Sequence, residues 1–157
     1  MAPVQRRARA LVRPLTMPAP WSMAEVCEQV GALRGRPIHL EPSTSIASTA
    51  VVRREPTRDV ITYRSDHHNP DHLIGHELGH LLAGHLDDRR GLAGSVSSDV
   101  TQAVFAMQRA CTYDTDEERL AEAVADLLTA AARRHSSGRA ASASGTSLIR
   151  GFGEAMR

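Results

Sequence analysis

His76-Glu77-Leu78-Gly79-His80 is an HExxH pentapeptide, the spacing with which one helix presents two imidazoles to a metal ion and a carboxylate to the water beside it. At about 100° per residue, side chains four apart lie roughly 40° apart around a helix axis, so both histidines face one point while Glu77 sits on the flank. The chemistry this set suits is hydrolysis of a peptide bond. Zinc polarises the carbonyl, and Glu77 takes a proton from the attacking water and later protonates the leaving amine. The plain alternative is a histidine pair that serves only surface or core polarity. Against it, the flanks are apolar on both sides (Leu73, Ile74, Leu81, Leu82), and a buried polar pair without a partner is costly where a metal removes the cost.

Two more histidines compete as ligands. His72 stands four before His76 but lacks a glutamate in the adjacent place, and it falls in the first helical turn, where exposure is expected. His85 lies about 140° round the helix from His80, which points it towards the helix C-terminus or a neighbouring loop. The metzincin pattern would put glycine three and histidine six residues after the second histidine; those positions are Ala83 and Leu86. A third protein ligand must therefore come from elsewhere.

The elements that carry these residues are well marked. Asn69-Pro70-Asp71 supplies an N-cap, a proline at the first helical position and an acid in the first turn, predicting a helix from Pro70 to about Leu86, closed by the polar run Asp87 to Gly91. Gly75 and Gly79 weaken it intrinsically but permit close approach of another backbone. A second helix opens at Thr115, where Thr115 to Glu118 fits a capping box, and Arg133, Arg134 and His135 suit its carboxyl end. Its apolar stripe is Leu120, Ala121, Val124, Ala125, Leu127 and Leu128. Glu118 falls at the boundary of that stripe and Glu122 slightly beyond. The ordinary roles of a capping glutamate and a solvated helix residue are open to them, as is that of third ligand.

At this point the chain resembles the ImmA/IrrE zinc metallopeptidases, in particular small actinobacterial members that accompany helix-turn-helix regulators. The resemblance rests on Arg34-Gly35-Arg36-Pro37-Ile38-His39-Leu40, on His76 to His85, and on Tyr113 to Leu128 with its E-x-x-A-E core, and spans most of residues 21 to 135. It implies that His76 and His80 bind zinc, that Glu77 is the general base, that Glu118 completes the ligand set, and that Glu122 orients a ligand. The layout is also similar to gluzincin sites. The chain departs from the wider family at Glu122, where asparagine is more usual, and in continuing as Leu127-Leu128-Thr129-Ala130 without a Met-Pro ending. The resemblance further implies a substrate, or binding partner, of the helix-turn-helix repressor class. Tyr113 and His85 are the candidates for stabilising the oxyanion.

The chain has 157 residues, a formal net charge of +1, two cysteines (Cys27 and Cys111) and 3% aromatics. These values suit one domain with a modest aliphatic core and no disulfide framework, in the cytoplasm. All 19 basic side chains are arginine, a mark of a GC-rich genome more than of function. Residues 1–20, with Arg6, Arg7, Arg9 and Arg13 among prolines, are expected to form a flexible basic tail without a signal-peptide apolar run, with Met17 or Met23 as alternative starts. Residues 136–157 are expected to be a second flexible end. Between them the pattern predicts an α+β, zincin-like domain: a helix (22 to 33), three strands (37 to 41, 46 to 54, 58 to 64), the motif helix, a helix near 97 to 110, and the glutamate helix. About four helices would pack with the short sheet, and Asp59 to Arg64 would offer an edge to an extended peptide. Two other function classes remain. A non-catalytic zinc-containing partner of a regulator is disfavoured by Glu77 and by the lack of thiolates near the histidines. Direct nucleic-acid binding is disfavoured by the near-zero charge and the lack of a helix-turn-helix signature.

Overall fold

A computed structural model describes residues 2–46, 48–86 and 116–151 of the chain, with residues 136–151 described through the backbone alone. The basic segment at the start is not a flexible tail. Pro3 takes an opening helical position, and Val4, Ala8, Leu11 and Val12 recur at helical spacing, so α1 (Pro3–Val12) forms and lays this stripe on the core. Ala8 is fully buried and Leu15, just beyond the helix, nearly so. Arg6, Arg7, Arg9 and Arg13 are exposed. Four arginines masked a one-sided apolar pattern.

Helix α2 (Met23–Arg34) starts where the Ser22 side chain accepts from the Glu25 amide and ends at Gly35, whose φ of 62° is left-handed. Trp21 Nε1 donates to Asp71 Oδ2 at 2.8 Å, tying the entry of α2 to the first turn of the motif helix. Three strands follow, β1 (Ile38–Ser43), β2 (Ala50–Arg54) and β3 (Asp59–Arg64), in the order β1-β3-β2. β1 runs parallel to β3 with Leu40 opposite Ile61, and β2 runs antiparallel to β3 with Val52 opposite Ile61. The strand expected at an edge is therefore the centre of the sheet. Its run Asp59-Val60-Ile61-Thr62 is buried throughout, as a strand covered on both faces and flanked on both sides must be.

Asp59 is fully buried, yet it sits in a ring of guanidinium groups. Arg34 Nη1 donates to its Oδ2 at 2.5 Å, and Arg36 Nε and Arg54 Nε donate to its Oδ1 at 2.8 and 3.2 Å. Burial alone would raise the carboxyl pKa, but the hydrogen bonds from Arg34 and Arg36, with the charges of Arg34 and Arg54, outweigh it and hold the group below its ordinary value. One carboxylate thus joins the end of α2, the entry to β1, the end of β2 and the start of β3.

Helix α3 (Pro70–Ala83) begins at Asn69, whose side chain accepts from the His72 amide, and ends at Gly84 with φ 75°. It stops short of Leu86 because that glycine takes the left-handed turn, with the His85 amide donating to the His80 carbonyl. Helix α4 (Asp116–Gly151) is longer than its sequence signals suggest: Arg133, Arg134 and His135 lie inside it, and the segment expected to be a flexible end is helical as far as Gly151. Tyr113, Cys111, Thr115 and the helix expected near 97 to 110 lie outside the described residues. Cys27 is a free, buried thiol, pushed up to about 12 by burial first and by Asp71 and Glu28 next, which makes it a packing residue.

α3 and α4 pack as an antiparallel pair, and the two motif-helix glycines set their distance. A Cβ on Gly79 would lie 2.6 Å from Ala121 Cα, and one on Gly75 would lie 3.2 Å from Ala125 Cα. Ile74, Leu78 and Leu81 of α3 meet Leu120, Val124 and Leu128 of α4 in the core, with Ile61 from the sheet beneath. The described residues thus form an α+β fold of four helices and a three-stranded mixed sheet. No described helix is long and apolar enough to cross a membrane.

Candidate metal centre

Four-residue spacing on both members of an antiparallel helix pair makes side chains alternate up the seam like rungs. From one end the order is His80, Glu118, His76, Glu122, His72 and Asp126. His76 Nε2 and His80 Nε2 are 3.1 Å apart, and the Glu118 carboxylate reaches them at 3.3 and 3.4 Å through one oxygen each. His76, His80 and Glu118 each offer a ligand atom, and these atoms all lie within 4.8 Å of one another. His80 is buried, while His76 and Glu118 are partly open to solvent.

The opposite face of each imidazole is also occupied. His76 Nδ1 faces Glu122 Oε2 at 3.2 Å. With Nδ1 donating to that carboxylate, the lone pair is left on Nε2, the nitrogen that faces Glu118 and His80 and that a metal ion would take. His80 Nδ1 meets His85 Nδ1 at 3.1 Å; donating there leaves the His80 lone pair on Nε2 as well. This is the tautomer that metal-bound histidines need, and Glu122 is a carboxylate partner of the kind that orients them. Two imidazole nitrogens and a carboxylate, with their ligand atoms within 4.8 Å of one another, fit a divalent metal ion.

Glu77 is 2% exposed, on the side of α3 turned to the protein. His85, expected at the helix end, caps it through its backbone and turns its ring on to His80. His72 is in the first turn, as its position implies, but a quarter exposed and 3.0 Å from Glu122 Oε1. Glu122 therefore touches two histidines at once. The signal for this was present in the matched spacing 72/76/80 and 118/122/126, yet only the antiparallel pairing shows which residues interleave.

Over His76 and Glu118 opens a cavity of about 640 Å³, walled on one side by Val4 and Gln5 of α1 and on the other by Arg119 and Ala123 of α4. The first helix thus borders the centre as well as the core. Comparison with protein-family models, with curated proteins and with solved structures gives no match.

Proposed function

We propose that this protein is a zinc-dependent endopeptidase centred on His76, His80 and Glu118, with Glu77 as general base. The observation that carries this reading is the convergence of two imidazole nitrogens of α3, the helix that also holds Glu77, and one carboxylate of α4 within 4.8 Å. An N₂O set of this kind is the donor chemistry of catalytic zinc, which keeps a position open, whereas structural zinc is closed by a fourth protein ligand. Zinc, when bound, supplies Lewis acidity towards a carbonyl and acidifies water.

The chain's own residues do the rest. Glu122 and His85 hold the Nδ1 protons of His76 and His80, and so fix the ring orientations. Glu77 takes the proton of the attacking water and returns it to the departing amine. The cavity of about 640 Å³ above His76 and Glu118 has room for a peptide segment in extended form. With β3 in the centre of the sheet, any strand addition falls to the β1 or β2 edge. The substrate class, a flexible segment of a helix-turn-helix repressor, follows from the sequence resemblance.

The test is a pull-down with a cleavage readout, using zinc-loaded protein and helix-turn-helix regulators encoded beside it. Wild type is expected to cut its partner, and Glu77→Gln to bind zinc and partner without cutting. Cleavage by Glu77→Gln would remove Glu77 from the reaction. Binding without cleavage by wild type would favour a non-catalytic, zinc-containing regulatory partner.

A further inference from the structure

One turn along the same helical seam, a second cluster stands outside the centre just described. His72, Glu122 and Asp126 each offer a ligand atom, again within 4.8 Å of one another, and His72 Nε2 is 3.0 Å from Glu122 Oε1. A histidine–glutamate ion pair alone would account for that contact. It would not account for what lies beside it. Thr129, one turn beyond Asp126 on α4, is 7% exposed, and its Oγ1 has no hydrogen-bond partner among the described residues. Thr129 lines a cavity of about 430 Å³ together with His72 and Asp126. That cavity, lined by two of the three candidate ligands, leaves room beside the protein donors for an ion's remaining water ligands.

We propose that His72, Glu122 and Asp126 form a second, weaker and exchangeable divalent-cation site. One imidazole and two carboxylates favour a borderline transition-metal ion such as Zn²⁺, Co²⁺ or Ni²⁺ over Mg²⁺ or Ca²⁺. Arg133 lines the same cavity two turns beyond Asp126, so the ion is held at the His72 end. Glu122 and Asp126 are exposed and His72 partly so, which keeps the two carboxylates hydrated and makes the site weaker than the His76–His80–Glu118 set. Glu122 is common to both sites: Oε2 holds His76 Nδ1 while Oε1 is free to turn from His72 to a shared ion. The site does not depend on hydrolysis at the first.

Calorimetric titration of the full chain, already carrying one equivalent of zinc, with further Zn²⁺ at neutral pH is the test. One additional equivalent is expected to bind more weakly than the first, with no comparable binding of Mg²⁺. The conservative variants His72→Gln and Asp126→Asn are each expected to weaken this second class by more than about tenfold while leaving the first class in place, and circular dichroism confirms that they fold. Absence of the second class, or its persistence unchanged in both variants, overturns the proposal. In Glu118→Ala the first class should be lost and the second retained, so failure of the first centre and failure of this one are read from different variants.

Discussion

Glu118 and Glu122 are one helical turn apart and chemically the same, yet the interleaved seam gives them different tasks. Glu118 faces the Nε2 atoms of both His76 and His80, whereas Glu122 sits behind one of these rings, on Nδ1 of His76. Glu118→Ala is therefore expected to lose zinc on dialysis against a chelator. Glu122→Ala should keep it with affinity lowered by roughly 10–100-fold, the usual effect of removing a group that orients a metal-bound histidine. Metal analysis across a chelator series decides between them, and loss of metal only from Glu122→Ala would reverse the two roles. Glu77 and its glutamine variant belong to this scale too, since that exchange removes a proton acceptor and leaves size and hydrogen-bonding capacity nearly unchanged.

Between elements, two contacts fix the frame that these residues need. The first is the glycine-mediated approach of α3 to α4. Gly79→Ala gains up to about 1 kcal/mol of helix propensity, but its Cβ would lie 2.6 Å from the backbone of Ala121, and overpacking of that kind costs about 1–3 kcal/mol. A lower melting temperature and weaker zinc binding are expected for Gly79→Ala, because His80 and Glu118 flank that contact. Gly75→Ala, with 3.2 Å to Ala125 Cα, is expected to be milder, and thermal melts with zinc titration compare the pair. The second contact is the Asp59 ring. Because the folded carboxyl is held below its ordinary pKa, its stabilisation is fully present above about pH 4, the unfolded value, and is lost as pH falls through the folded value. Asp59→Asn keeps one carbonyl acceptor but removes the negative charge at the centre of three half-buried guanidinium groups and sets an NH₂ donor against one of them, at a cost of roughly 3–5 kcal/mol near neutral pH. Denaturant unfolding at several pH values should show that gap narrowing below about pH 4; a pH-independent gap would mean that the carboxylate charge is not what stabilises the junction.

For the molecule as a whole, α1 is the element whose importance is hardest to see in the chain. A protein starting at Met17 would lack Ala8 and Leu15 from the core and Val4 and Gln5 from the wall of the cavity over His76. Removing residues 1–16 is expected to cost roughly 2–4 kcal/mol, from burial of one leucine and several smaller apolar side chains, seen as a fall of about 10 °C in melting temperature. An unchanged melting temperature would show that α1 contributes nothing to the folded core. What the sequence determined by itself was local: the cap at Asn69, the four-residue histidine pair and the boundary position of Glu118 all follow from capping chemistry and helical periodicity. Within an element, neighbours in space are neighbours in sequence. Tertiary structure decided the rest: that β3 lies between β1 and β2, that three arginines from separate segments meet Asp59, that Glu122 joins His72 to His76, and that the arginine-rich start folds on to α4. Strand order and helix register depend on which apolar faces bury each other across long sequence separations, and no local pattern of residue types encodes that choice.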